Sequence, residues 1–115
     1  METCEMEDEQ WLQRMKAFYL SRSADKLVQL TEAIDGIEKS PLSHGAYRKL
    51  DRLLHNLIGS GGSYGLPEVS EQARQMLRRL KLARDSRGLL PPALMSDLRA
   101  DMTRLGELFT EAASE

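Results

Sequence analysis

His55 stands just ahead of a run of small residues in "LLHNLIGSGGSYGL", residues 53–66. An imidazole can be a nucleophile, a proton carrier or a metal ligand near neutral pH. A metal site needs further ligands at regular spacing. His44, the other histidine, lies eleven residues upstream in an "SHG" connection expected to be an exposed loop, and no cysteine or carboxylate cluster joins it. Ser60 and Ser63 lack a patterned histidine-carboxylate partner, so a serine hydrolase has no support. A phosphate cradle is also disfavoured. "GSGGSYG" has Tyr64 where a GxGxxG run beginning at Gly59 needs its last glycine, no strand precedes it, and no Gly-Lys-Ser/Thr follows.

The histidine and its glycines fall on a helix. Leu50, Leu53, Leu54, Leu57 and Gly61 share one face at 100° per residue, and His55 lies about 130° from its centre, toward water. Arg48, Arg52, Gly59 and Gly62 share the outer face, with Asp51 and Ile58 at the edge nearer the core. Each glycine inside a helix costs about 0.5–1 kcal/mol relative to alanine. Gly61 has a structural reason, since it faces the core and lets another helix approach. Gly59 and Gly62 do not, and their missing side chains make sense if another protein's surface must come close to the imidazole. The bland alternative is a surface histidine followed by a helix end and a turn.

The rest of the chain supplies the elements that hold this helix. Its 115 residues carry 41% hydrophobic, 30% charged and only 5% aromatic side chains, with a net charge of −2. Leu, Ala, Glu, Arg, Lys and Met dominate, which favours an all-α protein. One apolar stripe runs through Trp11, Leu12, Met15, Tyr19, Leu20, Leu27, Leu30, Ile34 and Ile37, predicting one long helix over residues 8–38. Pro41 and Gly45 separate it from the His55 helix. Pro67 opens a third helix, striped by Val69, Ala73, Met76, Leu77 and Leu80 and fading before Gly88, with Arg84 and Arg87 suited to its C-terminal dipole. Pro91 and Pro92 open a fourth, lined by Leu94, Leu98, Met102, Leu105, Phe109 and Ala112. Short connections then imply an antiparallel, up-down four-helix bundle.

That bundle is expected to be a single domain over residues 1–115, a monomer closing its own core, with residues 1–7 a flexible acidic lead. The basic stretch "ARQMLRRLKLARDSR" has no aromatic stacking platform, so no nucleic-acid partner is expected. No apolar run reaches signal or membrane length, and Cys4 has no second cysteine to pair with. A cytoplasmic protein without a membrane partner is the expectation. The methionines are read as core filling and chain start, and Tyr64 as a cover over the bundle end.

"LLHNLIGSGGSYGLPEVSEQARQM" resembles the signature of histidine-containing phosphotransfer domains, the HPt domains of bacterial multistep phosphorelays: His, any residue, Leu, then Gly-Ser, small residues, an aromatic or aliphatic, Gly and Leu. "YLSRSADKLVQLTEAI" is similar to the family's first long helix. The resemblance implies that His55 takes a phosphoryl group from the phospho-aspartate of a receiver domain and passes it to another receiver's aspartate. It implies response-regulator receivers and hybrid sensor kinases as partners, Mg²⁺ held by the receiver, no cofactor or metal on this chain, and no ATP-dependent kinase activity of its own.

The match departs from the pattern where many members carry Lys, three residues after the histidine; here that position is Ile58, and Asn56 follows the histidine directly. Arg52 and Arg48, one and two turns before His55, are candidates to supply the missing charge, against ordinary solvation as the simpler account. Ser60 and Gly62 complete the supporting positions, and Ile58 and Asn56 are candidate docking residues. The family's imidazole-orienting position aligns with Leu77, near Gln75, which leaves that role unassigned. The alternative function is a non-catalytic module that binds receivers but no longer transfers phosphate.

Overall fold

A computed structural model of the protein describes residues 2–41, 44–84 and 90–114, with side chains from residue 9 onward. Its elements, in chain order, are α1 (Glu2–Ser21), α2 (Ser23–Lys39), α3 (His44–Ser63), α4 (Pro67–Ala83) and α5 (Pro92–Ser114). The fold is all-α, with no strand among the described residues.

The count differs from the four helices expected, because the stretch 8–38 is two helices that part at Arg22. The cause is local competition for a carbonyl. The Ser21 hydroxyl donates to Phe18 O at 2.6 Å, taking the acceptor that a continuous helix would offer to the Arg22 amide. That amide turns to Tyr19 O at 3.1 Å, and Arg22 adopts φ −98°, ψ 3°. Helical pairing resumes with Lys26 N–H on Arg22 O. Residues 2–7, expected as a flexible lead, fall within the span of α1.

The α3–α4 connection positions the site. Gly65 has φ +72°, a conformation that favours glycine. Its amide faces Gly62 O at 3.5 Å while the Leu66 amide donates to Gly61 O at 2.7 Å, the paired closure of a Schellman end. Leu66 is buried, and Pro67 starts α4 where no amide hydrogen is required.

The helices α2, α3, α4 and α5 close a ring, each packed on two of the others. Leu30, Ile34, Leu50, Leu54, Met76, Leu80, Leu98 and Leu105 fill its centre almost wholly shielded from water. Truncating any one of these leucines to alanine would cost about 2–5 kcal/mol. By contrast, α1 packs mainly on α2 and α5 and touches α3 through the Tyr19 hydroxyl, its contacts gathering around the buried Tyr19. Trp11 and Leu12, expected to continue the core stripe, are 59% and 51% exposed, because no helix among the described residues packs over that part of α1. The molecule is correspondingly elongated, 58 × 22 × 18 Å.

Arg84 caps α4 and lies over the Tyr47 ring at 4.4 Å, with its guanidinium 3.1 Å from His44 Nδ1. His44, expected in a loop, is the first residue of α3. Arg87 and Gly88, assigned above to the end of this helix, lie outside the described residues. No helix of the described residues is long and apolar enough to cross a membrane.

Candidate functional site

The site begins with the packing of α4 on α3. A Cβ built on Gly61 would lie 3.0 Å from the Ser70 amide nitrogen and 3.3 Å from Leu66 O, backbone atoms that cannot easily yield. Glycine there admits the start of α4, and the Ser70 hydroxyl then donates to Ile58 O at 2.7 Å. The two contacts fix how α3 is rotated, and His55 consequently faces outward with its side chain 54% exposed. Gly59 and Gly62 are exposed beside it, and a Cβ on either would meet nothing within 4 Å. Bulk has been removed from the surface around the imidazole.

Behind this surface, Ser60 is tied inward. Its hydroxyl lies 2.7 Å from that of Tyr19, whose ring stacks on Tyr64 with centroids 4.7 Å apart. Tyr64 thus covers the end of the ring of helices. Burial raises the Tyr19 pKa, and that effect outweighs the opposing hydrogen bond from Ser60, so the phenol stays protonated.

Asp51 and Lys81 bring charge to the imidazole. His55 Nε2 lies 3.6 Å from Asp51 Oδ1, one turn earlier on α3. Lys81 of α4 reaches the same oxygen, with Nζ at 3.9 Å. At 3.6 Å the His55 contact is too long for a hydrogen bond and leaves the Asp51 carboxylate standing beside the ring. Asp51 Oδ1 is itself shielded from water and accepts no hydrogen bond from the described residues.

Of the other sites read from the sequence, Arg48 and Arg52 are exposed and make no ion pair among the described residues. Ile58 is half-buried and packs against the core. Asn56 is exposed and lines a groove between α2 and α3 together with Lys26, Gln29, Leu53 and Ser60. Leu77 is buried in the core, while Gln75 lies in a surface hollow with Arg78, Arg79 and Leu82. Neither of these two positions brings a polar group to His55.

Asp51 was visible in the sequence as an edge residue, and its place one turn before His55 could have marked it as a partner. Lys81 had no such signal, since its approach depends on how α4 lies across α3. The arrangement that results is an imidazole exposed on an open face of α3. A ring so placed is accessible to the surface of a second molecule.

The sequence pattern of the Hpt domain matches residues 14–108. No curated protein and no solved structure gives a significant match. With the match spanning most of its length, including α3 and its exposed histidine, the chain belongs to the Hpt domain family.

Proposed function

We propose that the protein is a phosphorelay intermediate in which His55 receives a phosphoryl group from a receiver's phospho-aspartate and delivers it to another receiver. The observation that carries this reading is the exposed imidazole beside Gly59 and Gly62, on a surface where a Cβ would meet nothing within 4 Å. A receiver can approach the ring there without displacing a side chain. Neutral imidazole supplies the electron pair, and the rest of the catalysis is in-line positioning and charge stabilisation. On loading, an N–P bond forms as the acyl-phosphate O–P bond breaks, its electron pair leaving with the aspartate carboxylate. On delivery, the second receiver's aspartate carboxylate forms a new O–P bond as the N–P bond breaks, its electron pair returning to the imidazole nitrogen.

On this reading α2–α5 act as an antiparallel four-helix bundle that α1 extends, and the protein works as a cytoplasmic monomer. Mg²⁺ resides in the receiver, hybrid sensor kinases and response regulators are the partners, and no ATP is consumed by this chain. Gly59, Gly62 and Ser60 shape and support the surface, while Asn56 and Ile58 contribute to docking. Arg48 and Arg52 lie on the same helix as candidate sources of positive charge.

The test is transfer from a panel of Mg²⁺-loaded, phosphorylated receivers to the parent and to His55→Gln. Acid-labile label on the parent alone supports the proposal. Receiver binding by both proteins, with label on neither, would instead support a non-catalytic receiver-binding module, the reading favoured by Ile58 in place of a lysine.

A further inference from the structure

We infer that Asp51 and Lys81 form an opposed charge pair that sets the phosphoryl-transfer equilibrium at His55, Lys81 favouring the phosphorylated form and Asp51 opposing it. The inference rests on the proposed role of His55. It goes further by giving a function to two residues on different helices.

The geometry links both charges to the ring. Asp51 Oδ1 is 3.6 Å from His55 Nε2 and 3.9 Å from Lys81 Nζ, so one carboxylate oxygen is a neighbour of both the imidazole and the ammonium. That oxygen is shielded from water and accepts no hydrogen bond from the described residues. A carboxylate oxygen left in this state demands an explanation, because leaving a buried acceptor unmade is unfavourable. Its field is also screened less than that of a fully hydrated carboxylate. Asp51 therefore influences whatever charge develops on the neighbouring ring.

Phosphorylation reverses the meaning of that field. Before transfer, the carboxylate faces the unmodified imidazole and holds Lys81 close by. Afterwards it faces an anionic phosphoryl group a few ångströms away, and like charges repel. Lys81 has a flexible four-carbon stem, and its side chain is 52% exposed. It can leave the Asp51 oxygen for the phosphoryl oxygens without unpacking the core. Ile58 provides no charge, and among the described residues no carboxylate pairs with Arg48 or Arg52. Lys81 is the cation that the structure already holds beside the same oxygen as His55.

The two residues therefore pull the equilibrium in opposite directions. Lys81 stabilises the phosphoryl group that arrives when the receiver's O–P bond breaks and the N–P bond forms. Asp51 keeps that group from settling, so that it passes readily to the next aspartate. The proton on the other ring nitrogen exchanges with water and takes no part in the pair's effect.

The experiment measures the equilibrium ratio of phosphohistidine to phospho-aspartate after mixing the full chain with the phosphorylated, Mg²⁺-loaded receiver that loads the parent best. Asp51→Asn should raise the ratio roughly tenfold and slow delivery to a second receiver, and Lys81→Gln should lower it by a similar factor. The double variant should return to within about threefold of the parent, as opposed charges require. Lys81→Arg should keep the parent's ratio, which a purely steric role for Lys81 would not ensure. Thermal unfolding of each variant separates a folding defect from a change in equilibrium. Ratios unchanged in both single variants, or shifted in the same direction by both, would overturn the inference while leaving the role of His55 intact. Absence of label on the parent with every receiver would overturn the proposed function, and this inference with it.

Discussion

The hydroxyl groups of Tyr19 and Ser60 lie 2.7 Å apart, joining the end of α1 to α3 little more than one turn beyond His55. Tyr19 is buried, and its ring also approaches Phe109 of α5 at 6.3 Å between centroids. Tyr19→Phe keeps the ring and removes the hydroxyl, so it should lower stability by about 1 kcal/mol. Ser60→Ala should do the same, and the double variant should lose less than the two combined because they break one bond. Urea denaturation of the three variants beside the parent tests this, and strict additivity would show that the hydroxyls contribute independently.

The same tyrosine predicts a response to alkaline pH. Burial raises its pKa in the folded protein from the ordinary 10.0, so the folded state disfavours the phenolate. Its contribution is fully present below the unfolded value of 10.0 and is lost as pH rises through the higher folded value. The stability difference between the parent and Tyr19→Phe should be flat at neutral pH and shift against the parent above pH 10.0. Denaturation midpoints across that range supply the measurement.

The three glycines that follow His55 on α3 should separate by their surroundings. Gly59→Ala and Gly62→Ala place a methyl in open space and should each stabilise α3 by about 0.5–1 kcal/mol. Gly61→Ala should destabilise, because its Cβ would sit 3.0 Å from the Ser70 backbone nitrogen. Replacing Gly59 or Gly62 with leucine should leave helix content intact or higher while blocking phosphoryl transfer. Circular dichroism and transfer assays on the same samples distinguish these effects, and unchanged transfer kinetics in both leucine variants would remove the functional account of the two glycines.

Ion pairs on the far side of the bundle should differ according to burial. The Asp101 side chain is 12% exposed and accepts from Arg79 Nε at 2.9 Å and from Gln72 Nε2 at 3.3 Å. Arg79→Ala leaves that carboxylate with a single long bond and should cost about 1–3 kcal/mol. Arg104→Ala, which removes contacts to the exposed Glu107 and Glu111, should leave the unfolding midpoint unchanged within error.

Much of the site was legible because helical periodicity is a local property. The stripe through Leu50, Leu54 and Leu57 marks the buried face of α3, which puts His55, Gly59 and Gly62 on its outer side and Gly61 on its inner side, and the close approach of α4 at Gly61 holds that rotation. Gly65 and Pro67 likewise mark the end of one helix and the start of the next through backbone requirements of their own. The division at Arg22 was less accessible. It depends on the Ser21 hydroxyl competing for Phe18 O, whereas the apolar spacing continues across the break.

Trp11 and Leu12 show where periodicity stops being informative: an apolar stripe states a preference for burial, but a neighbouring helix must be present to satisfy it. The approach of Lys81 to Asp51 lies further still from the sequence. It depends on the rotation and axial offset of α4 against α3, set by side-chain fit at Gly61, Ser70 and the surrounding core. The sequence by itself determined an all-α chain with an exposed histidine on a cleared helix face, since each follows from the order of residues along one helix. Only the tertiary structure decided which charges stand beside that histidine, because contacts between helices depend on packing across the whole core.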